Sequence, residues 1–222
     1  MAPLIVDLSP IRQEFIDRMA TAQRLFDVAH ASSTGIERES RGVVIVLMFA
    51  AYERLLHELS KSLIAAAASL GVGNRRLLPG FRALSLHAAA VSLRDASAKR
   101  LYTKTLVGLV SVADQSRGHS LDSTVFPDDG SYMRASQVVT WCSVFGVDNY
   151  LLTLKDIWQN LDGVVADRNA IAHGRLAPDE VGRARSEDDV RDLLTEWRAC
   201  WLAFIDDLEA RAGSRDFYRR AR

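Results

Sequence analysis

The C-terminal part of the chain contains a periodic pattern of apolar residues that constrains the fold more than any other feature. Between residues 190 and 208 these residues recur at intervals of three and four: Val190, Leu193, Leu194, Trp197, Trp201, Phe204, Ile205 and Leu208. This spacing places them on one face of an α-helix, which must be buried against other elements. Ser186 at the N-cap, with Asp189 three residues later, approximates a capping box and marks the start of this helix.

Two earlier segments also have the pattern of long helices. Residues 10–31 follow the helix-start signal Ser9-Pro10 and carry apolar residues at helical spacing. Residues 36–70 form the second segment, and its middle, 43–49, is apolar on all sides, which is typical of a helix in the centre of a bundle. The β-branched residues of this middle also fit a strand, but the strongly helix-forming flanks favour a helix. We therefore predict an all-α helical bundle.

A less regular region follows the second helix. We interpret residues 72–131 as an insertion into the bundle, in which short helices are predicted at 81–94 and 97–113. Turn-forming residues from 114 to 131, including Pro127-Asp128-Asp129-Gly130, predict an exposed loop.

The remainder of the chain returns to the bundle. A helix is predicted at 133–145 and ends at Gly146. The arginine-rich tail at about 213–222 is expected to be frayed. The whole chain, residues 1–222, is thus predicted to be a single helical domain.

The charge balance argues against a large surface that coats nucleic acid. Lys and Arg number 28 and Asp and Glu also number 28, so the formal net charge is zero. Proteins that bind nucleic acid along an extended surface usually carry a basic excess, because neutralised phosphates supply much of the affinity. A small nuclease cleft with a local cluster of positive charge stays compatible with this composition.

The cysteines and the hydropathy pattern argue against a zinc protein, a secreted protein and a membrane protein. Cys142 and Cys200 lie in apolar helical patterns beside tryptophans and are expected to be buried free thiols, with a disulfide between them as the alternative. Two cysteines cannot form a thiolate zinc cage, and no metal or cofactor is expected. The N-terminus lacks the pattern of a signal peptide, and the longest apolar stretch, 43–51, is too short to span a bilayer. We expect a cytoplasmic protein without a membrane partner.

An arginine interrupts the apolar face of the next predicted helix. Asp148 or Asn149 can cap this helix, and Gly163 is the position where it can kink or divide. Its apolar residues are Leu151, Leu154, Ile157, Trp158, Leu161, Val164 and Val165. Arg168 occupies the following core-facing position, and burying a guanidinium is costly unless it is paired or lines a cleft. The alternative is an arginine that extends to solvent from a helix end.

Two polar residues of types common in active sites follow this arginine closely in the sequence. Asn169 and His173 are four residues apart, so they share one helical face. Gly174 follows at once, as expected just past a helix C-terminus, where the helix dipole favours a protonated imidazole. A purely structural histidine is the alternative.

The string Arg168-Asn169-Ala170-Ile171-Ala172-His173-Gly174 resembles the R-x4-H motif of the HEPN superfamily (higher eukaryotes and prokaryotes nucleotide-binding domain). It is most similar to the RiboL-PSP-HEPN branch. The resemblance covers residues 35–70 and 132–212, with the insertion between them. It implies a helical bundle that dimerises so that two R-x4-H motifs face each other. It also implies metal-independent cleavage of RNA that leaves a 2′,3′-cyclic phosphate.

Residue chemistry fits these implied roles. The imidazole of His173 can move the proton of the attacking 2′-hydroxyl or of the leaving 5′-oxygen. Arg168 can bind the phosphate and stabilise the charge that develops on it. Asn169 can orient the imidazole or the phosphate. One chain offers one Arg and one His in the motif, and two-fold pairing would supply a second set.

Glu53 is a candidate supporting residue. It lies four residues before His57 on the second helix. If this helix packs beside the motif, Glu53 can pair with Arg168 and hold it in place. An exposed Glu–His pair is the alternative.

Arg175 is a candidate for a basic rim that attracts RNA. Together with Arg183 and Arg185 it follows the motif in a presumed loop. The alternative is a solvated loop in which Asp179 and Glu180 offset this charge.

These observations predict an RNA endonuclease, acting as a toxin or an anti-phage defence effector. RNA is the expected substrate, a homodimer the expected assembly, and an antitoxin or regulatory protein an expected further partner. The first alternative is a non-catalytic HEPN module for dimerisation and for binding a nucleotide or partner protein. The second is a helical scaffold whose arginine and histidine are structural.

Overall fold

The fold is all-α, as predicted. The computed structural model describes residues 6–31, 35–116, 121–126 and 133–220, and within these ranges no residue belongs to a β-strand. The α-helices in chain order are α1 (Ser9–Ala31), α2 (Glu37–Ser69), α3 (Pro79–Ser85), α4 (His87–Arg94), α5 (Ala98–Arg100), α6 (Leu106–Ala113), α7 (Ala135–Phe145), α8 (Leu151–Leu154), α9 (Leu161–Ala172), α10 (Pro178–Arg183) and α11 (Glu187–Ala212). Shorter helical turns are 3-10 helices at Asn74–Arg76, Lys155–Ile157 and Arg215–Phe217 and a π-helix at Leu101–Thr105.

α2 is the central helix of the bundle. It contacts α1, α9, α10 and α11, and its apolar middle is helical despite its β-branched residues. Val44, Ile45 and Met48 are fully buried there. Burial on several sides explains why this segment is apolar all round, since each of its faces meets another helix.

Aromatic residues from α2, α7 and α11 fill the core. Trp141, Trp197 and Trp201 are completely buried. Two polar atoms of this core are satisfied internally: the Tyr52 hydroxyl donates to the carbonyl oxygen of Met133 at 2.9 Å, and the Trp141 indole nitrogen donates to the Ser60 hydroxyl at 2.8 Å. These bonds offset the desolvation cost of burying Tyr52 and Trp141, whereas the indole nitrogens of Trp197 and Trp201 have no hydrogen-bond partner among the described residues.

Both cysteines are buried free thiols, as predicted. Burial raises the pKa of the Cys142 thiol to about 12 and also raises the pKa of the Cys200 thiol. In the described ranges no helix is both long and apolar enough to cross a membrane.

Local capping signals predicted several helix ends correctly. The Ser186 hydroxyl accepts from the backbone N–H of Asp189 at 3.0 Å, and the Asp189 carboxylate accepts from the N–H of Ser186 at 2.9 Å, which completes the capping box of α11. α7 ends where Gly146 adopts a positive φ of 70°. All eight residues of the apolar pattern on α11 are buried.

The helix predicted to lead into the motif is divided, but not at Gly163 as expected. It breaks between Leu154 and Leu161, where the chain forms a 3-10 turn, whereas Gly163 lies inside α9. The turn has three residues per rotation, so Leu154 and Ile157 both reach the core. Leu151 was wrongly placed on the buried face, since 47% of it is exposed.

The predicted insertion is helical over most of its described length. The segment expected at 81–94 is split between α3 and α4, and the segment 97–113 forms α5, the π-helix and α6. Of the predicted loop at 114–131, residues 114–116 and 121–126 are described and are not helical. The turn at 127–130 lies outside the described residues.

The tail is not frayed between residues 213 and 220, contrary to the prediction. Tyr218 is completely buried, and its hydroxyl donates to the carbonyl oxygen of Ala212 at 3.0 Å. The backbone N–H of Leu78 donates to the carbonyl oxygen of Tyr218 at 2.9 Å. The aromatic ring, rather than the arginines beside it, decides the position of this segment. Residues 221 and 222 lie outside the described ranges.

Candidate active site at the end of α9

α9 changes character along its length. Leu161, Val164 and Val165 in its first half are buried in the core. Arg168 and Asn169, one turn later, are partly buried, and His173 at the end is exposed. The helix therefore leads from the hydrophobic core to the surface, and the predicted site residues lie where it emerges.

Arg168 is held by an aromatic ring and by its neighbour in the chain. Its guanidinium carbon lies 4.5 Å from the centre of the Phe49 ring, and Phe49 belongs to α2. One guanidinium nitrogen, Nη1, donates to the side-chain oxygen of Asn169 at 2.9 Å. A guanidinium has five N–H donors, and within the described part of the chain its side chain makes only that one hydrogen bond. The remaining donors are available to an anion.

Asn169 therefore orients the arginine in the free protein. Its side-chain oxygen is occupied by Arg168, which leaves the two amide N–H groups as donors. A phosphate presented at this point would meet donors from both side chains. The observed partner of Asn169 is Arg168, whereas the sequence predicted the imidazole or the phosphate.

His173 lies at the C-cap of α9, and Gly174 ends the helix as predicted. Gly174 has a positive φ of 65°. Its N–H donates to the carbonyl oxygen of Ile171 at 3.0 Å, and the N–H of Arg175 donates to that of Ala170 at 2.8 Å. These two bonds form a Schellman motif, which turns the chain away from the helix axis. Among the described residues the His173 ring has no hydrogen-bond partner, so it is available to a substrate or a second copy.

Two glycines clamp α10 onto α2 just beyond the motif. A Cβ atom added at Gly42 would lie 2.1 Å from the carbonyl oxygen of Pro178, and one added at Gly182 would lie 1.8 Å from that of Arg38. Real Cβ atoms do not approach so closely, so both positions require glycine. Arg41 adds a hydrogen bond of 2.9 Å to the carbonyl oxygen of Gly182. This clamp limits how far the segment after His173 can move.

The predicted pair between Glu53 and Arg168 is not formed. Among the described residues Glu53 takes part in no ion pair within 4.0 Å, and Arg168 contacts Phe49 instead. Phe49 precedes Glu53 by one helical turn, so the ring rather than the carboxylate faces the guanidinium. α2 does pack beside α9, as that prediction required.

Of the three arginines in the predicted basic rim, two form ion pairs with described residues and only Arg175 does not. The presumed loop contains α10, and Arg183 pairs there with Asp179 at 3.2 Å. Arg185 pairs with Asp167 of α9 at 2.6 Å. Arg175 is exposed and takes part in no ion pair with another described residue.

Phe49, Gly42 and Gly182 are site residues that sequence reasoning missed. A glycine inside the strongly helix-forming segment 36–70 was a usable signal, because glycine disfavours helix and is retained where a backbone approaches closely. Phe49 had no separate signal, since it sits within an apolar run. In the described ranges no group of three or more His, Cys, Asp or Glu side chains is arranged to hold a metal ion.

The arrangement combines an oriented cation with an exposed imidazole. Arg168 supplies donors for an anionic oxygen, and His173 supplies an imidazole, which can accept or donate a proton. Both side chains lie within one and a half turns of the same helix end. Such a pair fits a phosphate ester better than an uncharged ligand.

Comparison with known proteins identifies the family of the chain. The RiboL-PSP-HEPN family model matches residues 13–209, which includes α1 and the predicted insertion as well as the segments that carry the motif. Neither the curated proteins nor the solved structures gave a significant match. Because the matched range covers nearly all of the bundle together with Arg168 and His173, the chain belongs to the RiboL-PSP-HEPN family.

Proposed function

We propose that this protein is a metal-independent RNA endonuclease whose active site is formed by two copies of the chain. The observation that carries the proposal is the arrangement of Arg168, which is fixed by Phe49 and Asn169 but retains unused donors. His173 is exposed at the same helix end. Membership in a HEPN family supports the assignment to RNA.

The proposed reaction is an internal transfer within the RNA backbone. The 2′-oxygen attacks the adjacent phosphorus, and a base accepts the proton of the 2′-hydroxyl. The bond from phosphorus to the 5′-oxygen breaks, and an acid donates a proton to that oxygen. The products are a 2′,3′-cyclic phosphate and a free 5′-hydroxyl, so no metal-bound water is consumed.

Each side chain has a role in these steps. Arg168 donates hydrogen bonds to the non-bridging phosphate oxygens and stabilises the negative charge that builds up on them. Asn169 keeps the guanidinium in place and can add an amide donor. His173 transfers a proton at the 2′-oxygen or at the 5′-oxygen.

The need for two proton transfers supports a two-fold assembly. The motif in one chain provides a single imidazole, whereas one base and one acid act at opposite ends of the reacting phosphate. A symmetric dimer places a second His173 and a second Arg168 across the same cleft. Leu176, three residues after His173, is 40% exposed and offers apolar area for such a contact.

The test is cleavage of RNA by the purified protein in the presence of EDTA. Wild type is expected to cut RNA and leave 2′,3′-cyclic phosphate ends. Arg168→Ala and His173→Ala are expected to stay folded and to lose at least about a hundredfold in rate, since charge stabilisation on the phosphate and general acid–base catalysis each contribute on the order of 10² or more. Arg198→Ala, an exposed arginine on α11, serves as the control.

Three results would contradict the proposal. Equal activity in wild type and both motif variants would assign cleavage to another site or a contaminant. Loss of cleavage in EDTA, with recovery on adding a divalent ion, would show that a metal is needed. A stable dimer that cuts nothing would favour the non-catalytic module for nucleotide or partner binding.

We further propose that the nuclease acts as a toxin or anti-phage effector under control of an antitoxin or regulatory protein. A nuclease with an accessible site would harm the cell that makes it. Expression of wild type is therefore expected to arrest growth, and expression of His173→Ala is not. Normal growth with active wild-type protein would contradict this role.

A further inference from the structure

Residues 71–113 carry a net positive charge because they contain almost no acidic residues. This stretch holds seven of the 28 Lys and Arg residues but only one of the 28 Asp and Glu residues, so its net charge is +6 and that of the remainder is −6. The seven are Arg75, Arg76, Arg82, Arg94, Lys99, Arg100 and Lys104. The other acidic residues of the insertion follow Ala113. A neutral protein thus contains a strongly basic element.

The part of this stretch from 87 to 113, here termed the insertion arm, is loosely packed and open to solvent. It comprises α4, α5, the π-helix and α6, and none of these elements has a buried residue. Its base is anchored where the side-chain amide of Asn74 donates to the carbonyl oxygen of Val112 at 2.7 Å. The residues of the arm therefore do not contribute to the apolar core of the protein.

Three cations of the insertion arm are uncompensated. Lys99, Arg100 and Lys104 are exposed, and none of them forms an ion pair with another described residue. Arg94, by contrast, is paired with Asp95 at 3.0 Å. Their charge is therefore available to an anionic ligand.

A groove of about 890 Å³ lies between α4 and α6. Its polar lining includes Arg100, Lys104, Ser92, Ser97 and Asp95. Two of the three uncompensated cations therefore face one concave surface that also carries hydroxyl groups. The rest of its lining is apolar and includes Val91, Leu109 and Val112. This mixture fits a ligand such as RNA, which carries both anionic phosphates and flat, weakly polar bases.

An exposed aromatic residue lies among these cations. Tyr102 is 73% exposed and belongs to the same π-helix as Lys104. Sites for single-stranded nucleic acid combine cations that follow the backbone with aromatic rings on which bases stack. Packing against the described core therefore does not explain why an aromatic residue occupies this position.

We propose that the insertion arm binds single-stranded RNA, with Lys99, Arg100 and Lys104 on backbone phosphates and Tyr102 stacked against a base. This inference rests on the proposed nuclease function and adds a second contact with the substrate. It also explains how a protein with no net charge can attract RNA, because binding then relies on a local basic element.

The arm is well separated from the motif within one chain. α2 contacts Arg168 at Phe49 and ends at Ser69, five residues before Asn74, which anchors the arm. At 1.5 Å per residue this part of α2 is about 30 Å long. A stacked strand that rises 3.4 Å per nucleotide covers this length with roughly nine nucleotides. The arm is thus expected to favour RNA longer than that.

The binding test uses a fluorescent 2′-O-methyl RNA of thirty nucleotides, which cannot be cleaved because it lacks the attacking hydroxyl. Fluorescence anisotropy is measured at several salt concentrations for wild type and for Lys99→Ala/Arg100→Ala/Lys104→Ala. The slope of log K against log salt is expected to become shallower by about 2 in the triple variant, because each phosphate contact with a single strand contributes about 0.7. Tyr102→Ala is expected to weaken binding about fivefold or more.

The matched control removes the same charge elsewhere. Arg24→Ala/Lys155→Ala/Arg198→Ala changes three exposed cations outside the arm and is expected to keep the wild-type slope. An unchanged slope in the arm variant, or an equal change in both triple variants, would overturn the proposal. So would a changed oligomeric state of the arm variant with unchanged RNA affinity, which would assign the arm to an acidic surface of a second copy.

Cleavage assays separate this inference from the proposed function. If wild type binds RNA through the arm but cuts none, the nuclease proposal fails and the arm proposal stands. If wild type cuts RNA and the arm variant binds and cuts equally well, the arm proposal fails alone. When both hold, the arm variant loses kcat/KM on a thirty-nucleotide substrate and keeps it on one of five nucleotides.

Discussion

The guanidinium of Arg168 lies over the ring of Phe49, with 4.5 Å between the guanidinium carbon and the ring centre. Phe49 is only 3% exposed and belongs to α2, whereas Arg168 belongs to α9. The contact therefore joins two helices at the point where the motif leaves the core. The face of an aromatic ring attracts a cation by about 0.5–2 kcal/mol. This attraction orients Arg168 before any substrate is bound.

Replacing Phe49 by Leu is expected to reduce RNA cleavage without unfolding the protein. The loss of the ring removes the contact with Arg168, which corresponds to a fall of roughly 2- to 30-fold in kcat/KM. The change in stability is expected to stay within about 1.5 kcal/mol, because the core volume is nearly kept. Steady-state kinetics and urea unfolding measure the two effects.

Phe15→Leu is the matched control for this variant. Phe15 is a phenylalanine of similar burial, but it belongs to α1 and not to the pair of helices that positions Arg168. Similar losses of activity in both variants would show that general destabilisation, not the position of Arg168, is responsible. Phe49→Tyr keeps the ring face and is expected to retain most of the activity.

Replacing Asn169 by Asp is expected to inactivate the site while the fold persists. The new carboxylate keeps the acceptor for Arg168 but binds the guanidinium as an ion pair and repels phosphate. Loss of about tenfold or more in the affinity for 2′-O-methyl RNA of five nucleotides is expected, since hydrogen bonds to charged groups contribute about 1.5–3 kcal/mol. Asn169→Ala adds no charge and is expected to lose less. Equal affinity in the Asp variant would contradict the assigned role of Asn169.

Replacing Gly42 by Ala is expected to destabilise the protein by about 1–3 kcal/mol, despite the higher helix propensity of alanine. The added Cβ would lie 2.1 Å from the carbonyl oxygen of Pro178, so α10 must move away from α2. Thermal unfolding measures the effect. Gly108→Ala on α6 is the control, because a Cβ there meets nothing within 4 Å. This control is expected to gain up to about 1 kcal/mol, and a similar loss in both variants would refute the clamp.

Replacing Tyr218 by Ala is expected to cost about 3 kcal/mol of stability, as for other large buried aromatic residues. The ring is completely buried, and its hydroxyl donates to the carbonyl oxygen of Ala212. Tyr218→Phe keeps the ring and is expected to cost only about 1 kcal/mol. Urea unfolding distinguishes the two. A frayed tail would leave both variants as stable as wild type.

The features that were predicted correctly from the sequence depend only on residues that are close together in the chain. The apolar spacing of α11, the capping pair of Ser186 and Asp189 and the glycine after α9 act within a few residues of each other. Their effect is the same whatever packs against the helix. The motif from Arg168 to His173 is equally local, which is why it was recognisable in a chain with no net charge.

The features missed depend on residues far apart in the chain. The break before Leu161 allows Leu154 and Ile157 to reach a core built largely by α2 and α11. A period of 3.6 residues continues through that break and does not reveal it. In the tail, the arginines suggested fraying, but Tyr218 finds its place against Leu78, which is distant in sequence.

For the site, the sequence by itself determined which residues gather at the end of α9, because residues a few positions apart on a helix must lie close together. Only the tertiary structure decided what surrounds them. Phe49 rather than Glu53 faces Arg168, since the crossing of α2 and α9 selects which turn of α2 meets the guanidinium. Periodicity alone does not determine such a crossing, because it arises from packing between whole helices.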